Sequence, residues 1–180
     1  MGTSIESIGS SIEALTSQYR IITHNLSNSN TAGFKRQIGS IQQLVAGDPS
    51  VAGEVTDGIS INFEQGRLVQ TGRPMDFALD GANTFFTIET PEGPLYTRNG
   101  VFRANAQGQI VDAAGRMVSG EGGPLVIPPN VGTTGINVSK DGIISGDGLT
   151  IGKIKVVKFE DATQLIPAGG VSFKAPDGVS

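Results

Sequence analysis

The chain has 180 residues, enough for one globular domain or a compact domain with an appendage. Apolar residues make up 37%, charged residues 17%, and 26 are glycine, which suits a structural protein rich in turns. With no cysteine, a single histidine (His24) and a net charge of -4, the sequence excludes a disulfide framework, thiolate catalysis and any site needing two imidazoles, and gives no electrostatic reason to bind nucleic acid.

The first predicted element is a helix. Large apolar side chains fall at Ile5, Ile8, Ile12, Leu15, Tyr19, Ile22 and Leu26, with gaps alternating between three and four, the a/d seam of a heptad repeat. Thr3 with Glu6 offers a capping box at its start. Asn30-Thr31-Ala32-Gly33 supplies residues suited to its end. The helix is then roughly 24 residues long, about 36 Å at the α-helical rise. Periodicity alone fits two arrangements: a helix packed on its own domain, or one whose partner lies outside the chain. Energetics favours the second. Fully burying the seam returns ~10–20 kcal/mol, while ordering the backbone costs at least ~24 kcal/mol. No second helix follows, since residues 162–166 are too few before Pro167. The seam is therefore expected to meet helices of other subunits.

After Lys35-Arg36 the period changes to two. Residues 37–70 read as an extended connector, within which Ile59, Ile61 and Phe63 alternate with polar residues before a turn at Gln65-Gly66. Phe85-Phe86-Thr87-Ile88 and Leu95-Tyr96-Thr97-Arg98 read as strands, and Asn99-Gly100 as a type I′ hairpin turn into Val101-Phe102-Arg103. Gln107-Gly108, Ala114-Gly115 and Asp141-Gly142 mark further hairpins. Lys153, Lys155 and Lys158 around Ile154, Val156 and Val157 suit one late strand with a charged wet face. The expected fold class is mainly β: an antiparallel domain of short strands and hairpins over 71–180, the connector over 37–70, and one long N-terminal α-helix within 1–36.

Nothing in the pattern specifies catalysis, a cofactor, a metal or a small-molecule substrate. His24 has no second imidazole, thiol or carboxylate cluster beside it. Gly120-Glu121-Gly122-Gly123 lacks the lysine of a phosphate loop, and Pro124 disfavours a following helix. Asp141-Gly142 and Asp147-Gly148 lack EF-hand spacing and read as turns. Asp76 and Asp80 flank a predicted strand without a companion acid-binding motif. Asn25 and Asn28, a turn apart, suit either bonds to neighbouring backbones or local capping of their own helix. No stretch is apolar for long enough to span a membrane, and the first residues lack the basic and apolar regions of a cleaved signal peptide.

The run Ile22-Thr23-His24-Asn25-Leu26-Ser27-Asn28-Ser29-Asn30-Thr31-Ala32-Gly33-Phe34-Lys35 resembles the N-terminal signature of bacterial flagellar rod and hook proteins. In that family an Asn-Leu-Ala-Asn core precedes Thr-x-Gly-Phe-Lys. Ser27 replaces the usual alanine, and His24 stands where asparagine is common. The matching motif positions are Asn25, Leu26, Asn28, Thr31, Gly33, Phe34 and Lys35. The stretches Thr71-Gly72-Arg73-Pro74-Met75-Asp76-Phe77-Ala78-Leu79-Asp80-Gly81 and Tyr96-Thr97-Arg98-Asn99-Gly100-Val101-Phe102 resemble the same family's central domain. Gly120-Glu121-Gly122-Gly123-Pro124-Leu125-Val126-Ile127-Pro128 is most similar to its proximal rod member. The resemblance implies a non-enzymatic subunit of the basal-body rod in the periplasm, exported by the flagellar export apparatus without a cleaved signal. Its partners would be copies of itself and other rod subunits, joined by helix packing and lateral β-domain contacts into a torque-transmitting axial tube. It also implies a C-terminal helix pairing with the N-terminal one. The sequence ends at Ala175-Pro176-Asp177-Gly178-Val179-Ser180, where that helix is expected to begin, so it reads as one helix short. The alternatives are a distal rod or hook subunit and, from another class, a secreted β-rich carbohydrate-binding module. The latter is poorly served by the absence of tryptophan and only two tyrosines. A hydrolase is a weaker third.

Overall fold

The computed structural model describes residues 2–40 and 58–176. The chain divides into two compact units, one of residues 1–31 with 35–62 and the other of residues 32–34 with 63–180.

The first unit holds α1 (Gly2–Ser27) and an antiparallel pair, β1 (Gln37–Ser40) with β2 (Gly58–Ile61), in which Gln37 lies opposite Ile61 and Ser40 opposite Gly58. These strands fall at 37–40 and 58–61 of the 37–70 stretch expected to be extended; its residues 41–57 lie outside the described residues. The helix begins at Gly2, which puts Thr3 inside the first turn and not at the N-cap. It also stops earlier than the 30–33 run suggested. Asn28 Nδ2 donates to His24 O at 2.9 Å and Ser29 Oγ to Leu26 O at 2.9 Å, which satisfies carbonyls of the last turn.

The second unit is the β domain. Its strands are β3 (Thr84–Ile88), β4 (Leu95–Thr97), β5 (Arg103–Ala104), β6 (Ile110–Val111), β7 (Ser119–Gly120), β8 (Gly123–Pro124), β9 (Ile136–Val138), β10 (Ile143–Gly146), β11 (Leu149–Lys153), β12 (Val156–Lys158), β13 (Ile166–Pro167) and β14 (Ser172–Lys174). They form a five-stranded sheet in the order β12-β3-β4-β14-β13, a three-stranded sheet β11-β10-β9, and the short pairs β5-β6 and β7-β8, with antiparallel register throughout. The architecture is therefore the expected one, a mainly antiparallel β domain with one long N-terminal helix.

β3 is the spine of this unit. Its run Phe85-Phe86-Thr87-Ile88 does not alternate because both faces are covered. Phe86 and Ile88 enter the main core with Met75, Phe77, Phe102, Ile110, Val118 and Ile144. Phe85 points the other way and meets Phe63, Phe159 and Phe173 edge-on, at centroid distances of 5.7–6.0 Å.

The hairpins at Gln107-Gly108, Ala114-Gly115 and Asp141-Gly142 form as expected. Asp147-Gly148, both at positive φ, make a tight turn between β10 and β11. Asn99-Gly100 does not make the expected hairpin. β4 pairs with β3 and β14, while Val101 bridges Asp76 and Arg103 pairs with Val111. Asn99 Oδ1 accepts from Val101 N at 3.0 Å, and Gly100 O accepts from Phe77 N at 2.8 Å. Glycine is required here for close approach: a Cβ would sit 2.7 Å from Phe77 C and 2.9 Å from Phe86 Cε2.

The single late strand expected around the lysines is two strands in two sheets. Buried Ile154 separates them, its N–H donating to Gly142 O and that of Lys155 to Ser119 O. After β12, Asp161 caps a short 3₁₀ turn, accepting from Thr163 N and Thr163 Oγ1. Hydrogen bonds from the Thr163 side chain, then its backbone, then Gln164 hold the Asp161 carboxyl below the usual carboxylate value. A lowered folded value means this stabilisation is present above the unfolded carboxylate range and is lost as pH falls through the folded value. A carbon-13 titration of the Asp161 carboxyl is expected to show a midpoint below that of free aspartate.

Candidate interaction surface on the N-terminal helix

At 100° per residue, α1 carries two stripes roughly 150° apart. One holds Ser17 and Ile21, both only 7% exposed. Ile21 packs where β1 passes: a Cβ on Gly39 would lie 2.7 Å from Ile21 Cδ1, so glycine there admits the isoleucine. One turn on, Asn25 behaves as a strand partner. Its Nδ2 donates to Gln37 O and its Oδ1 accepts from Gln37 N, both at 2.8 Å. The other stripe is the heptad seam. Ile8, Ile12, Leu15, Tyr19, Ile22 and Leu26 are 56–73% exposed, although five of the six are Ile or Leu. Ile5 lies on the helix, but its side chain is outside the described residues.

The motif residues do not converge on one site. Asn28 caps its own helix, Thr31 N donates to Asn28 O at 2.9 Å, and Leu26 belongs to the seam. Phe34 is half-buried and Lys35 buried. Gly33, at φ +71°, is part of the second unit, where a Cβ would fall 2.6 Å from Arg98 O and inside contact distance of Asn99 N. The periodicity reading missed the Ser17–Ile21 face, because one isoleucine among small polar residues carries little signal.

It also missed Arg98. This guanidinium, 9% exposed as a residue, donates to Gly81 O and Thr84 O at 2.9 Å and to Gln65 Oε1, and lies 5.9 Å from the centroid of the Phe85 ring. Burial lowers its proton affinity from the ordinary arginine value.

A shallow open groove along Tyr19, Arg20, Thr23, His24, Ser27 and Asn28 has no carboxylate in its lining. Among the described residues no group of three or more His, Asp or Glu is placed to hold a metal ion. Asp76 pairs with Arg73 at 2.8 Å, and Asp80 is exposed. The Gly120-Glu121-Gly122-Gly123 run is the β7–β8 hairpin, with Glu121 ion-paired to Lys153 at 2.7 Å. Among the described residues no helix is long and apolar enough to cross a membrane.

Asn25→Ala is expected to leave the N–H and C=O of Gln37 without their helix partner and to weaken the docking of β1 on α1 by about 1–3 kcal/mol. Faster amide exchange over 37–40, with exchange over 12–22 unchanged, is the measurement.

Residues 78–146 match the family model described as the flagellar hook protein FlgE/F/G D1 domain. Over 157 residues the chain is 32% identical to the flagellar basal-body rod protein FlgF of Caulobacter vibrioides, covering 83% of this chain and 63% of that protein. It is 35% identical over 145 residues to FlgF of Rhizobium meliloti, covering 79% and 59%. The rod protein FlgG of Caulobacter vibrioides is 34% identical over 165 residues, covering 77% and 61%. The chain thus spans less than two thirds of the length of each of these curated relatives. Most of the sequence is thus homologous to the flagellar basal-body rod proteins FlgF and FlgG, and its central part to the FlgE/F/G D1 domain.

Proposed function

We propose that this chain is a structural, non-catalytic subunit of the flagellar basal-body rod, assembling with copies of itself and other rod subunits into an axial, torque-transmitting tube. The observation that carries the reading is the bare heptad seam of α1. Six large apolar side chains lie on the face of the helix opposite its own hairpin, and burying them against another helix would return roughly 10 kcal/mol. A knobs-into-holes partner suits that spacing. The same surface used head to tail gives an open helical polymer and not a closed dimer. The subunit's place is the periplasmic rod, reached through the flagellar export apparatus without a cleaved signal.

Within the rod we assign it to the proximal segment, on the resemblance of the 120–128 stretch. Relatives named FlgF and FlgG both match, so that stretch and not the names supports this finer assignment.

Deleting the gene and imaging purified basal bodies tests both levels. The expected result is non-motile cells whose rods stop short near the inner membrane, with the epitope-tagged chain restoring them and locating there. Rods complete except for their outer end would move the assignment to the distal segment. Intact rods in motile deletion cells would end the structural reading.

A further inference from the structure

The β unit adjoins the first unit in sequence at two places, residues 32–34 and the chain from Phe63 onward. Both stretches are tied to the same residue. Gly33 lies against the backbone of Arg98 and Asn99 so closely that no side chain fits. Two residues after Phe63, Gln65 Oε1 accepts from Arg98 Nη2. The other donors of that guanidinium go to Gly81 O and Thr84 O at 2.9 Å, which fixes it to the loop before β3 and to β3 itself.

We propose that Arg98 is the positioning residue shared by both connections of the β unit, its backbone abutting Gly33 and its guanidinium holding Gln65, so that force carried along the chain enters the β sheet at this residue as well as at the buried ring of Phe63. A planar five-donor fork suits the task, since it can hold several oxygens at fixed angles where an ammonium holds them loosely. The guanidinium lies over the ring of Phe85, which Phe63 meets edge-on, and burial of Arg98 to 9% exposure strengthens its bonds to the Gly81 and Thr84 carbonyls. The anchoring is a property of the isolated chain. Its mechanical consequence rests on the axial role proposed above.

The test is amide exchange on the full-length purified chain, for wild type, Arg98→Met, Arg98→Lys and Gln65→Ala. For Arg98→Met the amides of 32–34 and 64–67 are expected to exchange about 10- to 100-fold faster, with those of 136–146 unchanged. Arg98→Lys is expected to fail to rescue, because charge without the fork leaves carbonyls unheld. Gln65→Ala, at an exposed residue, is expected to free 64–67 and leave 32–34 protected. This keeps the test decisive if Arg98→Met does not fold. Uniform acceleration across the β unit, full rescue by lysine, or no change at 64–67 in Gln65→Ala would overturn the anchor. In complemented cells, Arg98→Lys is expected to assemble rods and swim in dilute medium but to lose speed disproportionately as viscosity rises. Unaltered swimming under load, with the exchange result intact, overturns force entry alone. A deletion strain that remains motile removes the axial reading and leaves the anchor standing.

Discussion

Gly100→Ala is expected to destabilise the β unit by more than about 3 kcal/mol, lowering its thermal midpoint by roughly 10–20 °C. The cause is backbone meeting backbone. A methyl at position 100 would overlap Phe77 O, lie 2.7 Å from Phe77 C and press on Phe86 Cε2 at 2.9 Å. A flexible side chain could yield, but here the obstacle is the backbone carbonyl of Phe77, a residue whose own N–H donates to Gly100 O at 2.8 Å. Any shift that relieves the clash lengthens that bond and drags Phe77 and Phe86 out of a core in which Phe86 is 1% exposed. Gly66→Ala is the matched control, since nothing lies within 4 Å of a Cβ there. It is expected to be neutral or stabilising by less than about 1 kcal/mol, through the unfolded chain. Equal melting of the two variants would refute this account of position 100.

That glycine also marks where the sequence was legible and where it was not. Local grammar is readable when the turn alone decides the conformation. The hairpins at Gly108, Gly115 and Gly142 have glycine at φ > 0 between adjoining strands, and they form. Asn99-Gly100 has the same grammar, but its neighbours are claimed by strands distant in sequence, β4 by β14 and Val101 by Asp76. Long-range pairing of this kind leaves no local trace. The Lys153–Lys158 stretch is similar: lysines interleaved with Ile and Val read as one strand, and the burial of Ile154 marks the break. On the helix, the seam was legible because a heptad is periodic. Asn25 was visible as a motif position, but its role was not, because Gln37 lies twelve residues away and beyond the helix end. Arg98 stood inside a recognisable block with no sign that its guanidinium was buried among carbonyls. A cationic side chain in a turn-rich stretch reads as solvated until the fold surrounds it.

Replacing two seam residues, Ile12→Glu with Tyr19→Glu, is expected to abolish rod assembly and motility while changing the melting of the isolated chain by less than about 0.5 kcal/mol. Both parts follow from exposure. Ile12 is 59% and Tyr19 73% exposed, so neither contributes much to the chain's own packing, and glutamate is a good helix former that preserves α1. In a helix–helix seam the same two carboxylates would be taken out of water with no cation provided, at a cost of several kcal/mol each. The contrast that makes the experiment discriminating is Ile21→Glu. Ile21 is 7% exposed and lies against Gly39 of β1, so a charge there is expected to separate the β1–β2 pair from α1 within the chain itself. That should be visible as exchange over 37–40 and 58–61 without any assembly partner present. The two faces thus predict opposite signatures, an intact monomer that does not assemble and a disrupted monomer. If the 12/19 variant loses stability as Ile21→Glu does, the seam packs within the chain. If it assembles normally, the tube is built on another surface.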